Sequence, residues 1–140
     1  MSAPLIALVW FALWAVALSF IVVLWRVREV MSGKTASNAF PSGEKHGSDA
    51  YWRANRAQAN TLENLPIFGA LVLTGVATGL STALFATLCT VAVIARMVQS
   101  VIHLSSGSAT AVNFRFFAFL VQLVCFAGIG IHLLMHFYGN

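Results

Sequence analysis

Charged side chains are scarce in this sequence, and acidic ones are the scarcest of all. Charged residues make up 9% of the 140 positions, with 8 Lys and Arg against 4 Asp and Glu. Apolar residues make up 59%, and the mean hydropathy is +0.84. These values lie far from those of a water-soluble domain. The composition therefore predicts an integral membrane protein.

Motifs for several kinds of chemistry are lacking as well. The two cysteines, Cys89 and Cys125, lie in apolar runs without CxxC spacing, so we interpret them as small buried side chains. His132 and His136 are four residues apart, but no third ligand lies near them, and we predict no metal site. The sequence also has no glycine-rich phosphate loop and no nucleophile elbow.

Four apolar runs are long enough to cross a hydrocarbon core about 30 Å thick, which takes roughly 20 helical residues. They predict an all-α, integral membrane four-helix bundle that forms a single domain over residues 1–140. The predicted helices cover about 3–28, 49–79, 82–104 and 111–138. The first run has no basic stretch before it and is longer than the apolar part of a signal peptide, so we expect a retained helix.

The basic residues all flank or enter the first and third loops. They are Arg26, Arg28, Lys34, Lys45, Arg53, Arg56, Arg96 and Arg115. The positive-inside bias predicts that these two loops are cytoplasmic and that both termini are on the other side. Topology thus accounts for the net charge of +4, and we expect membrane lipid and an anionic solute as partners but no nucleic acid.

The second helix carries a polar stripe into its apolar span. Arg53, Arg56, Asn60 and Glu63 follow one another at helical spacing, and Pro66 comes next. A bilayer makes such side chains costly, which favours a functional interpretation. Before the stripe, Ser48 or Asp49 is suited to cap the helix, and Tyr51 and Trp52 are suited to the aromatic belt at the membrane surface.

The third helix has a sparser polar face, formed by Arg96, Gln99, Ser100 and His103. Arg96 is the deepest cation and Glu63 the only acid inside a span, so we expect the two to form an ion pair. That pair can be merely a clamp between helices, and Arg26 and Arg28 can be merely charges that end the first span. Several cations around one acid nevertheless indicate an anionic ligand.

The pattern Arg-x-x-Arg-Ala-x-x-Asn-x-x-Glu-x-x-Pro, from Arg53 to Pro66, resembles that of the MAPEG family, the membrane-associated proteins in eicosanoid and glutathione metabolism. The chain length, the four apolar runs, the polar first loop and the Ala95-Arg96 pair are also similar to that family. The resemblance implies a homotrimer that binds glutathione between neighbouring subunits, in a pocket open to the cytoplasm. It also implies a lipophilic second substrate and, because the chain looks like a divergent bacterial-type member, a bacterial inner membrane.

The resemblance also implies roles for particular residues. Arg115 resembles the arginine that activates the thiol, and is the catalytic candidate. In the family, tyrosine often stands where this chain has Asn64, Gln99 and His103. The residues expected to bind glutathione are Arg28 (or, less favoured, Arg26), Arg53, Arg56, Gln58, Asn60, Glu63, Arg96 and His103.

The favoured function is that of a membrane-bound glutathione transferase or peroxidase, in which a thiolate attacks a lipophilic electrophile or a lipid hydroperoxide. Two alternatives remain open. One is a non-catalytic membrane protein that binds lipid or glutathione. The other is a small transporter or proton relay built on Glu63, Arg96 and His103.

Overall fold

The computed structural model describes residues 2–41 and 43–139, and within these ranges the chain is all-helical. Its elements are α1 (Ala3–Met31), α2 (Asp49–Ala77), α3 (Ala83–Ser105) and α4 (Ala109–Tyr138). The prediction of an all-α, four-helix membrane protein is confirmed. The first helix continues to Met31 instead of ending at 28, and the chain turns away from it at Gly33, which has a φ of 70°.

Three of the helices, α1, α3 and α4, are long and apolar enough to cross a membrane. The second helix is not among them, because its first half carries the polar stripe. Of the four predicted membrane spans, three are therefore supported by length and apolarity, and α2 is not. The other helices bury one apolar face of α2, while Leu62, Ile67 and Leu73 are exposed.

A hydroxyl side chain caps the start of each of the last three helices. The Oγ of Ser48 accepts a hydrogen bond from the Tyr51 backbone N–H at 3.2 Å, which identifies Ser48 rather than Asp49 as the cap of α2. Thr82 and Ser108 cap α3 and α4 in the same way, each at 3.2 Å. Such caps satisfy a free amide of the first turn and fix where each helix begins.

The main apolar core lies towards the end of the bundle formed by the chain termini and the α2–α3 turn. The Phe68 ring is central, with its centroid 5.1 Å from that of Phe11 and 5.6 Å from that of Phe126. Cys89 and Cys125 are buried in this core as free thiols, as predicted. The polar side chains lie at the opposite end of the bundle.

Helix packing leaves a gap at that polar end. The first helix packs against α2 and α3 but not against α4, while α4 packs mainly against α3 and only loosely against α2. Because α2 and α4 touch so little, space remains between them where the first and third loops meet the bundle.

A smaller cluster of aromatic residues holds the first loop on the bundle. Tyr51 is buried, its ring stacks on Trp25 with centroids 6.0 Å apart, and its hydroxyl accepts a hydrogen bond from Arg26 Nε at 2.9 Å. The Arg26 guanidinium also lies over the Phe40 ring, 5.3 Å from its centroid. The prediction that Tyr51 belongs to the aromatic belt at the membrane surface is wrong, because the first loop folds over this side chain and buries it.

Candidate functional site

A cavity of about 490 Å³ fills the gap between α2, α3 and α4. Five of the predicted site residues line it: Arg53, Arg56, Asn60, His103 and Arg115. The remaining lining residues are Trp52, Gln99, Gly107, Val112, Phe116 and Phe119. Three helices and the third loop therefore bring together residues that are up to 67 positions apart in the sequence.

Positive charge dominates this cavity, because three arginines line it and no carboxylate of the described residues does. Arg53 is tied across to α3 by a hydrogen bond of 3.4 Å from its Nε to the Leu104 carbonyl oxygen. Arg56 is exposed, and Arg115 is half-buried. Like charges gathered in a cleft raise the local potential and attract anions. We call this space the arginine cavity.

One wall of the arginine cavity is apolar. It is formed by Val112, Phe116 and Phe119 of α4, whereas the charged groups come mainly from α2 and from the start of α4. Phe116 is 67% exposed, so this wall continues onto the outer surface of the bundle. The cavity is thus suited to a ligand that is anionic at one end and apolar at the other.

The predicted ion pair between Glu63 and Arg96 does not form. Among the described residues the only ion pair is Lys45–Asp49, at 2.8 Å in the first loop. Arg96 is 1% exposed and its guanidinium lies over the Phe119 ring of α4, 5.9 Å from the centroid, whereas Glu63 is exposed on α2. The prediction failed because α3 packs mainly against α4, so Arg96 turns there.

The polar stripe of α2 also splits into two parts. At 3.6 residues per turn, residues seven apart nearly eclipse one another, while residues three apart differ by about 60° around the axis. Arg53 and Asn60 accordingly form a half-buried pair, and Arg56 and Glu63 form an exposed pair. Only Arg56 of the exposed pair lines the arginine cavity.

A second, smaller cavity of about 190 Å³ lies on the other side of α2. Arg56 and Trp52 line both cavities, and the second also contains Arg26 and Gln58. Gln58 donates a hydrogen bond from Nε2 to Ser19 Oγ of α1 at 3.0 Å. Arg28 is exposed and lines neither cavity, so Arg26 is the basic residue of α1 that lies beside the predicted ligands.

Two glutamines near the site received no role from the sequence. Gln99 lines the arginine cavity and is 8% exposed, and Gln122 of α4 is fully buried. The signal for Gln99 was its place on the face of Arg96 and His103. For Gln122 the signal was its place two turns beyond Arg115, on the same face of the fourth helix.

Comparison with known proteins assigns the chain to a family. The sequence model of the MAPEG family matches residues 4–135, which is nearly the whole chain and includes every residue that lines the arginine cavity. The chain belongs to the MAPEG family. MAPEG proteins are membrane bundles that include glutathione transferases and peroxidases, as well as members that are not enzymes. No curated protein and no solved structure matches this chain.

Proposed function

We propose that this MAPEG protein is a membrane-bound, glutathione-dependent transferase or peroxidase whose active site is the arginine cavity. The observation that carries the proposal is the convergence of Arg53, Arg56 and Arg115 on one cavity that no carboxylate lines within residues 2–41 and 43–139. Family membership supports glutathione as the co-substrate.

The chemistry of glutathione matches the lining of the cavity. Glutathione carries two carboxylates, one ammonium group and a thiol, so it is anionic, and it gains a further negative charge as the thiolate. Guanidinium groups bind carboxylates through two parallel hydrogen bonds, and Asn60 adds an amide donor and an acceptor. The volume of about 490 Å³ lies within the range of small-molecule sites, about 300–1,000 Å³.

Arg115 is the candidate for activating the thiol. A free thiol titrates near pH 8.5, and a neighbouring guanidinium favours the reactive thiolate. In the transferase reaction the sulfur forms a bond to an electrophilic carbon, and the leaving group departs with its electron pair. In the peroxidase reaction the sulfur attacks the outer oxygen of a hydroperoxide, the O–O bond breaks, and the alkoxide takes up a proton. A second glutathione then converts the sulfenic product to the disulfide and releases water.

The exposed position of Glu63 supports the proposed homotrimer. Its neighbours Leu62 and Ile67 are 44% and 53% exposed, so a single chain would present this carboxylate to lipid among apolar side chains. A carboxylate facing lipid is costly, whereas a second copy packed on this face would cover it. There Glu63 would be available to bind the ammonium group of glutathione.

The second cavity supports the same assembly. Arg26 and Gln58 lie across α2 from Arg115, and Arg56 lines both cavities. We propose that a neighbouring copy supplies its Arg26 and Gln58 to the ligand held by Arg53 and Arg115. We further propose that the first and third loops are cytoplasmic and that the lipophilic substrate enters along the exposed Phe116 wall.

Isothermal calorimetry with the purified protein in lipid nanodiscs tests the proposal. We expect saturable glutathione binding, weakened by Arg56→Met and unchanged by Lys34→Met, which removes the same charge from an exposed loop position. Absence of saturable binding to the folded wild type would contradict the proposal. Conjugation of an aryl halide and reduction of a lipid hydroperoxide then separate the two reactions, and binding without either would indicate a non-enzymatic member.

A further inference from the structure

Arg26, near the end of α1, is held on two sides by neutral groups. Its Nε donates a hydrogen bond to the Tyr51 hydroxyl at 2.9 Å, and its guanidinium lies over the Phe40 ring, 5.3 Å from the centroid. Tyr51 is only 2% exposed and stacks on Trp25, so it is itself fixed in place. The two contacts come from different elements, because Tyr51 lies in the first turn of α2 and Phe40 in the first loop.

Neither of these contacts cancels the charge of Arg26. A phenol oxygen and an aromatic face orient a guanidinium but carry no full negative charge. Within residues 2–41 and 43–139 the one ion pair is Lys45–Asp49, so no acid in this part of the chain pairs with Arg26. A basic residue that merely ends a membrane span extends flexibly to the lipid head groups and needs no such support. The arrangement instead prepares a cation for an anionic ligand.

The hydrogen bond also decides which atoms of Arg26 remain for a ligand. Once Nε is used, the four N–H groups of Nη1 and Nη2 remain, at the end of the guanidinium. Two such groups bind a carboxylate through parallel hydrogen bonds. Arg26 lines the cavity of about 190 Å³ together with Arg56 and Gln58, so it lies beside other predicted ligand residues.

The first loop forms one wall of the same cavity. Pro41, Gly43 and His46 line it, close to Phe40 in the sequence. The Phe40 ring also contacts the His46 ring edge-on, with centroids 6.1 Å apart. The loop that closes this cavity therefore also carries the ring that supports Arg26.

We propose that Tyr51 and Phe40 are positioning residues, which hold Arg26 so that its Nη1 and Nη2 bind a carboxylate of glutathione. The inference rests on the proposed function, in which Arg26 reaches the ligand of a neighbouring copy, and it assigns the first loop a role in ligand affinity. Because both supports are neutral, they orient Arg26 without competing with the ligand for its charge. Ordering a flexible side chain before the ligand arrives lowers the entropy cost of binding.

A double-mutant cycle tests the inference, with glutathione titrated by calorimetry into the full chain in lipid nanodiscs. Phe40→Leu keeps an apolar side chain but removes the ring, and Tyr51→Phe removes the hydrogen-bond acceptor. Each should raise the Kd for glutathione ~3- to 10-fold. In an Arg26→Met background neither should have a further effect, because both act through Arg26. A residue that only supports the fold would cause the same loss in both backgrounds.

Two further variants complete the test. Phe40→Tyr keeps the aromatic face and should bind as the wild type does, and Phe20→Leu, 63% exposed on α1, is the matched control. If Tyr51→Phe fails to fold, the comparison of Phe40→Leu with Phe40→Tyr decides the question.

The outcomes separate the inference from the proposed function. If the wild type binds glutathione but Phe40→Leu or Arg26→Met binds equally well, the inference is wrong while the proposed function stands. Equal losses with and without Arg26 would overturn it in the same way. If the wild type does not bind, the proposed function fails and the inference fails with it.

Discussion

Replacing Arg115 by methionine removes one of the three guanidinium groups that line the arginine cavity. No carboxylate in the part of the chain that the structure describes lines the cavity, so the lost interaction with an anionic ligand is not offset by the loss of an ion pair. A hydrogen bond to a charged group contributes about 1.5–3 kcal/mol. Since about 1.4 kcal/mol corresponds to a tenfold change, glutathione affinity should fall ~10- to 150-fold.

The same substitution should change the acidity of the bound thiol. An opposite charge within about 4–6 Å lowers the pKa of an acid by about 1–3 units. Without Arg115 the pKa of bound glutathione should therefore return towards its free value near 8.5. Once that pKa lies well above the pH of the assay, each further unit lowers the thiolate fraction by about tenfold, and the rate of conjugation falls with it.

The assay is a pH titration of thiolate ultraviolet absorbance at saturating glutathione, combined with single-turnover conjugation of an aryl halide. Lys34→Met is the matched control, because it removes an exposed positive charge from the first loop and leaves the cavity lining intact. An unchanged thiol pKa and an unchanged conjugation rate in Arg115→Met would refute the assigned role.

Three further predictions concern the ligand and the bundle. Glu63→Gln should weaken glutathione binding ~10-fold, because the Glu63 carboxylate is proposed to bind the ammonium group. Binding of a glutathione analogue that lacks the amino group should not change, and equal losses for both ligands would argue against this contact. Tyr51→Phe removes the buried acceptor of the α1 arginine and should cost about 1 kcal/mol of stability in a thermal melt, whereas Tyr138→Phe, 88% exposed, should cost nothing. The added methyl group of Gly75→Ala would overlap a buried phenylalanine ring of α3, so this variant should lose about 1–3 kcal/mol of stability. The methyl group of Gly69→Ala meets only one side-chain atom, 3.9 Å away, so this variant is the control. Similar melting temperatures for the two variants would refute the packing.

The helices and their polar positions were predictable because the bilayer constrains the sequence so strongly. Runs of apolar residues predict the spans, and the hydroxyl of Ser48 just before an acidic first turn predicts where α2 begins. Consecutive helices joined by short connections run antiparallel, and this brings Arg53, Asn60 and His103 to the same end of the bundle. Each of these predictions depends on spacing along one helix or on the order of the helices.

The rotation of each helix about its axis was not predictable in the same way. A stripe from Arg53 to Glu63 looks continuous in the sequence, but Glu63 lies on the exposed face of α2, two turns beyond Arg56, and does not line the cavity. A buried arginine needs partners, yet nothing in the sequence tells whether they are an acid on α2 or an aromatic ring on α4. Arg96 turned to α4 because α3 and α4 form the closest helix pair. The orientation of each side chain around its helix depends on how the helices pack against one another.

A cryo-electron microscopy map of the full chain in lipid, with glutathione added, tests the central claim most directly. The account predicts a trimer with glutathione density between Arg53, Arg56 and Arg115 of one copy and Arg26 of the next. Density for glutathione elsewhere, or a folded assembly whose arginine cavity stays empty at saturating glutathione, would contradict it.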